Sequence, residues 1–483
     1  MIRIQRILKA SLSTILIGFL PLATWASQSV DFESWLRQQN TYSLEKLKDN
    51  IHPQGTLPGV VVASPSKQDP DYWYHWTRDA ALVMDIIVER LIQKDPEILL
   101  GDEDFQMLID YIDFTRSNQA SDAPASLGEP KFHVDGRPYR GPWGRPQNDG
   151  PALRAHTLGR LALYLLDRGE EAFVLKHLYS KEWPATTTIK NDLEYVSHRW
   201  VETDFDLWEE VRGHHFYTRV AQWKSLDQGA LLADRLGDHG AAEWYRQQAN
   251  KLAIAIQNHW DSSQKILRVT LSRDGGLDYK HSGLDASTIL AYLHARTDLL
   301  PASLDQILST AEKTEAAFNQ VYPLNHRGLP ATAIGRYPED RYFGGNPWFL
   351  TTAAYGELHY RTALALIKQG EVRINDLNSP FYSKWLTNPG QQQETPSLPK
   401  ARRISAESPE FIKLVRSIMD SGDEYLERVR AHAGKDGNLD EQFDRNSGHM
   451  LSARDLTWSY ASILTAYEVR ERAIQAIYKH QAQ

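Results

Sequence analysis

Residues 237–256 read GDHGAAEWYRQQANKLAIAI, and their spacing points to the fold class. Ala242, Tyr245, Ala249, Leu252 and Ile256 recur every third or fourth residue, which puts them on one face of an α-helix. The Gly237-Asp238-His239-Gly240 break ahead of them joins this helix to the preceding one as an αα-hairpin. The same period returns elsewhere. Ser408-Pro409 reads as an N-cap with proline at the first helical position, and Phe411, Ile412, Val415, Ile418, Met419, Leu426 and Val429 follow at helical spacing. Gly150-Pro151 opens a helix over ALRAHTLGRLALYLL, and Ser452 is expected to open one over ARDLTWSYASILTAYEV. About a dozen helices fit between residues 33 and 479 by this reading. Strand signals are few; the best is Ile266 to Leu271, before an expected turn at Gly275-Gly276. No repeat of roughly 20–50 residues argues for a solenoid. Residues 388–402, NPGQQQETPSLPKAR, read as a polar loop within one large all-α domain.

Composition narrows the function class. The chain has 483 residues, a net charge of −8 and no basic run, which argues against nucleic acid as a partner. It has no cysteine, so disulfides, thiol chemistry and cysteine-based zinc sites are ruled out. Histidines lack a metal-ligating helical spacing, and His214-His215 are adjacent; no metal and no cofactor is expected. MIRIQRILK followed by ASLSTILIGFLPLATWA has the charge, length and small exit residues of a secretory signal peptide over residues 1–26. Its apolar run is shorter than the roughly 20 residues a membrane span needs. A secreted or periplasmic chain of residues 27–483, monomeric by default, is expected.

Five segments mix rings with charges: 70–79, 141–151, 205–218, 335–349 and 439–448. Loops of that composition are more often sites than connectors. If the helices form a closed ring, loops from one end converge on a single pocket. In the third segment, FDLWEEVRGHHFYT, Glu209 and Glu210 stand side by side behind Trp208. On a helix they would point about 100° apart, and a solvated helix face is the bland alternative. Glycosidic cleavage needs one carboxyl whose pKa an apolar surround raises, and a second that stays ionised. Glu209, behind Phe205, Leu207 and Trp208, suits the first role. Glu441, near Asp440, Asp444 and Arg445, suits the second. Arg78-Asp79 and Arg336 offer hydrogen-bonding forks for hydroxyls, or a structural ion pair at a helix start.

PGVVVASPSKQDPDYWYHWTRD, WGRPQNDGPALRA, FDLWEEV, HSGLDAS, GRYPED, GGNPWF and SARDLTWSY occur in that order. Together they resemble the glucoamylases, glycoside hydrolase family 15, from about Pro58 to Ala466. The resemblance implies an (α/α)₆ barrel as a single catalytic domain. It also implies inverting hydrolysis from the non-reducing ends of α-1,4-glucans. It places the general acid on Glu209, a leaving-group contact on Glu210 and the general base on Glu441. Arg78 and Asp79 match the pair gripping the terminal glucose, and Arg336 an arginine at the substrate. Tyr72, Trp143 and Trp458 match pocket aromatics beside Trp208, and Leu207 a carbonyl that receives a sugar hydroxyl. Asn148 stands where many members have arginine, which bears on the outer subsites. No starch-binding module is expected after the catalytic domain. Trehalose, isomaltose or dextran hydrolysis on the same scaffold, or non-catalytic glucan binding, are the alternatives.

Overall fold

The computed structural model describes residues 30–94, 101–182, 184–297, 300–386 and 402–482. The expected signal peptide and residues 388–401 of the polar loop lie outside them. Fourteen helices occur among the described residues: α1 (Val30–Asp49), α2 (Thr77–Gln93), α3 (Glu103–Gln119), α4 (Asp149–Asp167), α5 (Glu171–His177), α6 (Thr188–Arg199), α7 (Phe216–Arg235), α8 (His239–Gln257), α9 (Ser287–His294), α10 (Leu304–Val321), α11 (Phe349–Gln369), α12 (Ser379–Leu386), α13 (Pro409–His432) and α14 (Thr457–Gln481). Helices α2, α4, α7, α9, α11 and α14 each pack on the next, and α14 closes back on α2. Around this ring, α1 lies on α14, α3 on α2, α6 on α4, α8 on α7, α10 on α9 and α13 on α11. The chain alternates outer and inner helices six times, with α5 and α12 as short additions. This is an (α/α)₆ barrel.

The hairpin between α7 and α8 shows how the sequence turns the chain. Gly237 adopts φ 73°, a left-handed value that glycine takes without a Cβ penalty. Its N–H donates to the Asp234 carbonyl at 3.0 Å, and the Asp238 N–H to Ala233 at 2.8 Å. Those two bonds are a Schellman motif, and they satisfy carbonyls that the end of α7 would leave open. Ala242, Tyr245, Ala249, Leu252 and Ile256 are all buried, as their period predicts. The Ser408 hydroxyl accepts from the Phe411 N–H at 3.2 Å and caps α13.

Two expectations fail locally. Helix α14 starts at Thr457, not behind Ser452, because Ser452 and Asp455 both take left-handed φ (71° and 48°) and hold the chain in a turn. Only at Thr457, whose N–H donates to the Ala63 carbonyl at 2.9 Å, does the helix begin. The strand over 266–271 is two strands. Ile266–Leu267 pairs with Trp260–Asp261, and Thr270–Gly276 pairs with Val211–His215. Gly275-Gly276 therefore ends a strand instead of making the turn. A Cβ on Gly276 would stand 2.1 Å from the Glu210 carbonyl, so glycine is there to let two backbones touch.

The ring positions the site. Segments 70–79, 141–151, 205–218 and 335–349 run into α2, α4, α7 and α11, and 439–448 precedes α14. All five lie at the N-terminal ends of inner helices, where aligned peptide dipoles leave partial positive charge. No helix among the described residues is long and apolar enough to cross a membrane.

Candidate active site

A cavity of about 580 Å³ opens at this end of the barrel. Tyr72, Arg78, Asp79, Trp143, Leu207, Trp208, Glu209, Glu210, Arg336, Glu441 and Trp458 all line it, so the structure brings together every site residue named from the sequence. Their side chains come from loops far apart in the chain. Only closure of the ring makes them neighbours.

Glu209 and Glu210 are not on a helix. They occupy the loop of a hairpin in which Asp204–Phe205 pairs with Val211–His215. The Asp206 carboxylate accepts from the N–H groups of Glu210 at 2.7 Å and Val211 at 3.0 Å, which cinches the loop. Glu209 sits at φ 68°. Such a value is uncommon outside glycine and turns its side chain away from that of Glu210. Behind the loop, buried Lys280 bridges Asp206, 3.5 Å away, and Asp285. Asp285 in turn accepts from the Trp208 indole N–H at 2.9 Å.

The two adjacent carboxylates have different partners. Glu209 Oε1 accepts from Trp76 Nε1 at 2.8 Å, Gln147 Nε2 at 3.1 Å and Arg78 Nη2 at 3.3 Å. These donors all use one oxygen. Burial raises the Glu209 pKa, with the Arg78 guanidinium opposing it. Glu210 accepts from Arg336 at 2.7 Å and from the Tyr337 hydroxyl at 2.6 Å, and burial raises its pKa too. Arg336 forks onto Asp340 at 2.8 and 2.6 Å, which fixes its plane among Trp208, Tyr342 and Trp348.

Glu441 departs from its expected surroundings. Arg445 turns away, towards the carbonyls of Gly344 and Gly345. Instead Tyr72 donates to Glu441 Oε1 at 2.9 Å, while Gln442 at 3.0 Å and the Ser452 hydroxyl donate to Oε2. The residue expected to cap α14 thus holds this carboxyl. Burial pushes the Glu441 pKa up to about 7, with those three neutral donors pulling it down. The polar surround read from DEQFDR comes from Tyr72, Gln442 and Ser452 instead of Asp440, Asp444 and Arg445: most sequence neighbours are not spatial ones. Asp79, raised by burial to about 6, lies 3.8 Å from Arg78 and faces the cavity.

Other residues escaped the sequence reading. Trp76, Tyr74, Tyr342 and Trp348 line the cavity from within the quoted segments, where their rings were visible but their roles were not. Lys131 lay outside all five. Its ammonium sits 3.8 to 4.5 Å from the ring centroids of Trp143, Tyr74, Trp76 and Tyr139, and burial lowers its pKa to about 8. A lone lysine between Pro130 and Phe132 gives no signal of this. Asn148, which stands where many members have arginine, is 1% exposed, accepts from the Tyr195 hydroxyl at 3.0 Å and does not line the cavity. Among the described residues no group of three or more His, Asp or Glu could hold a metal ion.

Comparison with known proteins agrees with this geometry. Residues 38–468 match the family described as glycosyl hydrolases family 15. Glucoamylase 1 of Rhizopus oryzae is 38% identical over 460 residues, covering 92% of this chain and 72% of the relative. The structure of a glycoside hydrolase family 15 glucoamylase from Hypocrea jecorina superposes with a TM-score of 0.82 at 33% identity, covering 92% of this chain and 73% of that one. A glucoamylase from Saccharomycopsis fibuligera gives the same TM-score, 0.82, at 30% identity over 92% of this chain and 96% of that one.

Proposed function

The chain belongs to the glycosyl hydrolases of family 15, and from that premise we propose that its cavity releases glucose from the non-reducing ends of α-1,4-glucans with inversion. One observation carries the reading. Two carboxyls, half-buried Glu209 and buried Glu441, enter the cavity from the loops of α7 and α14, which stand opposite each other in the six-helix ring. That arrangement suits a sugar between an acid on one side and a water on the other.

Glu209 is the general acid. Its Oε1 is committed to Trp76, Gln147 and Arg78, so Oε2 is the oxygen that carries and gives up the proton. Glu441 is the general base. Three donors orient its carboxylate towards an attacking water. Glu210, fixed by Arg336 and Tyr337, takes a hydroxyl of the leaving sugar. Arg78 and Asp79 grip the terminal glucose, the Leu207 carbonyl accepts a hydroxyl, and Tyr72, Trp143, Trp208 and Trp458 supply ring faces. Residues 27–483 act as an exported monomer, which light scattering on protein collected outside the host cytoplasm checks.

The pH dependence follows from the two carboxyls. Hydrolysis needs one protonated and one ionised, so kcat/KM is bell-shaped. Both are raised by burial, Glu441 to about 7, and the pair titrates in two macroscopic steps, a lower and an upper. Activity falls above the upper step as the last proton leaves, and below the lower one as both carboxyls fill. Ser452→Ala removes a donor that favours ionised Glu441, so the Glu441 pKa rises. The expected result is a profile displaced to higher pH, read from kcat/KM on maltose. A displacement to lower pH would contradict the hydrogen bond's assigned role.

The testing experiment measures glucose release from maltose, maltoheptaose, trehalose and isomaltose, with proton NMR of the first minutes of reaction. Maltose and maltoheptaose are expected to be cleaved best, giving β-glucose before mutarotation. Initial α-glucose would make one carboxylate a nucleophile and overturn inversion. Turnover of trehalose alone would overturn the substrate class.

A further inference from the structure

Phe343 combines three features that rarely coincide. The residue is 47% exposed, although it carries a large apolar ring. Its backbone adopts φ 49° and ψ 28°, a left-handed conformation that is costly for a bulky residue and natural for glycine or asparagine. The surroundings hold it there. Gly344 and Gly345 continue the left-handed path at φ 97° and 67°. The Asn346 amide donates to the Phe343 carbonyl at 2.7 Å, and Arg445 donates to the Gly344 and Gly345 carbonyls at 3.3 Å each. Arg445 thereby finds its task at this turn, not beside Glu441.

Core packing does not account for a ring left so exposed, and backbone preference argues against it. Position does account for it. The Phe343 ring meets Tyr342 edge-on, with centroids 4.8 Å apart. Tyr342 lines the cavity, and its hydroxyl lies 2.8 Å from that of Tyr72, which donates to Glu441. Phe343 is therefore one ring outward from the wall of the reaction chamber. A chain cut at its non-reducing end must leave the rest of its length pointing out of the cavity, past this rim. The C–H face of a pyranose is the neutral, weakly apolar surface that suits an uncharged phenyl ring.

We propose that Phe343 is a specificity-determining platform for the leaving side of an α-1,4-glucan, stacking on a glucosyl unit beyond the two that flank the scissile bond. This rests on the proposed hydrolysis of such chains. Because maltose offers no unit there, the contribution grows with chain length.

The test is Phe343→Asn beside Phe343→Trp, assayed on maltose and maltoheptaose, with thermal melting of each variant. Asparagine tolerates the left-handed backbone, so Phe343→Asn is expected to melt at or above the temperature of the parent. Its KM for maltoheptaose is expected to rise roughly two- to ten-fold, the range of one ring-stacking contact, with kcat and the maltose KM unchanged. Phe343→Trp is expected to keep the maltoheptaose KM near or below the parent value. A KM independent of Phe343 on both substrates would overturn the proposal. So would an equal rise on both, or a lower melting temperature in Phe343→Asn, each of which would make the ring structural. Failure of the parent protein to release glucose from either substrate would instead overturn the proposed hydrolysis.

Discussion

Glu209→Gln lowers kcat on maltose by roughly 10²–10⁴-fold, the usual worth of a positioned general acid, while substrate binding persists. The magnitude follows from the geometry of one carboxyl. An amide oxygen in place of Oε1 can still accept from Trp76, Gln147 and Arg78, so the loop and its neighbours have no reason to move. What the amide lacks is the proton on the other atom. A substrate with a leaving group that needs little protonation, such as α-glucosyl fluoride, should recover much of the lost rate. Steady-state kinetics on both substrates makes the check. Near-parental turnover of maltose by Glu209→Gln would remove Glu209 from the acid's role, and equal losses on both substrates would point to a binding role instead.

Glu441→Gln should depress kcat by a similar factor, roughly 10²–10⁴-fold, for a different reason. Tyr72, Ser452 and Gln442 all donate towards this carboxyl. An amide presents its own donors to at least one of them, so the water loses both its base and its orientation. The expected signature distinguishes base from acid. Glu441→Ala with azide and α-glucosyl fluoride should form β-glucosyl azide, since the small anion enters the space left by the side chain and needs no deprotonation. Azide that gives no such product, or gives the α-azide, would count against a base on that face of the sugar.

The helical period made the barrel's walls legible. Ala242, Tyr245, Ala249, Leu252 and Ile256 are buried because an amphipathic stripe must cover its apolar face whatever it packs against. Capping was legible where it is local, as at Ser408. It was misread at Ser452, where a left-handed turn held by long-range contacts delays the helix to Thr457. Residue chemistry in the five segments revealed that a site exists, since rings beside charges are costly to place in mere connectors. It did not reveal environment. DEQFDR places Arg445 near Glu441, yet the fold buries Glu441 and sends Arg445 to the Gly344-Gly345 turn.

By itself the sequence determined the helical composition, the pairing of helices across glycine breaks, the absence of thiol chemistry and, through seven ordered motifs, the family. Those properties depend on residue type and short spacing. Tertiary structure alone decided which donors face each carboxyl: Trp76, Gln147 and Arg78 on Glu209, and Tyr72, Gln442 and Ser452 on Glu441. It also decided that Lys131 would stand among four rings, that Asn148 would be buried, and that Phe343 would be held exposed in a left-handed turn. Burial and hydrogen bonding at a site are set by residues brought together only when α14 closes the ring on α2. A pKa belongs to that assembled surround, and one strand of text does not contain it.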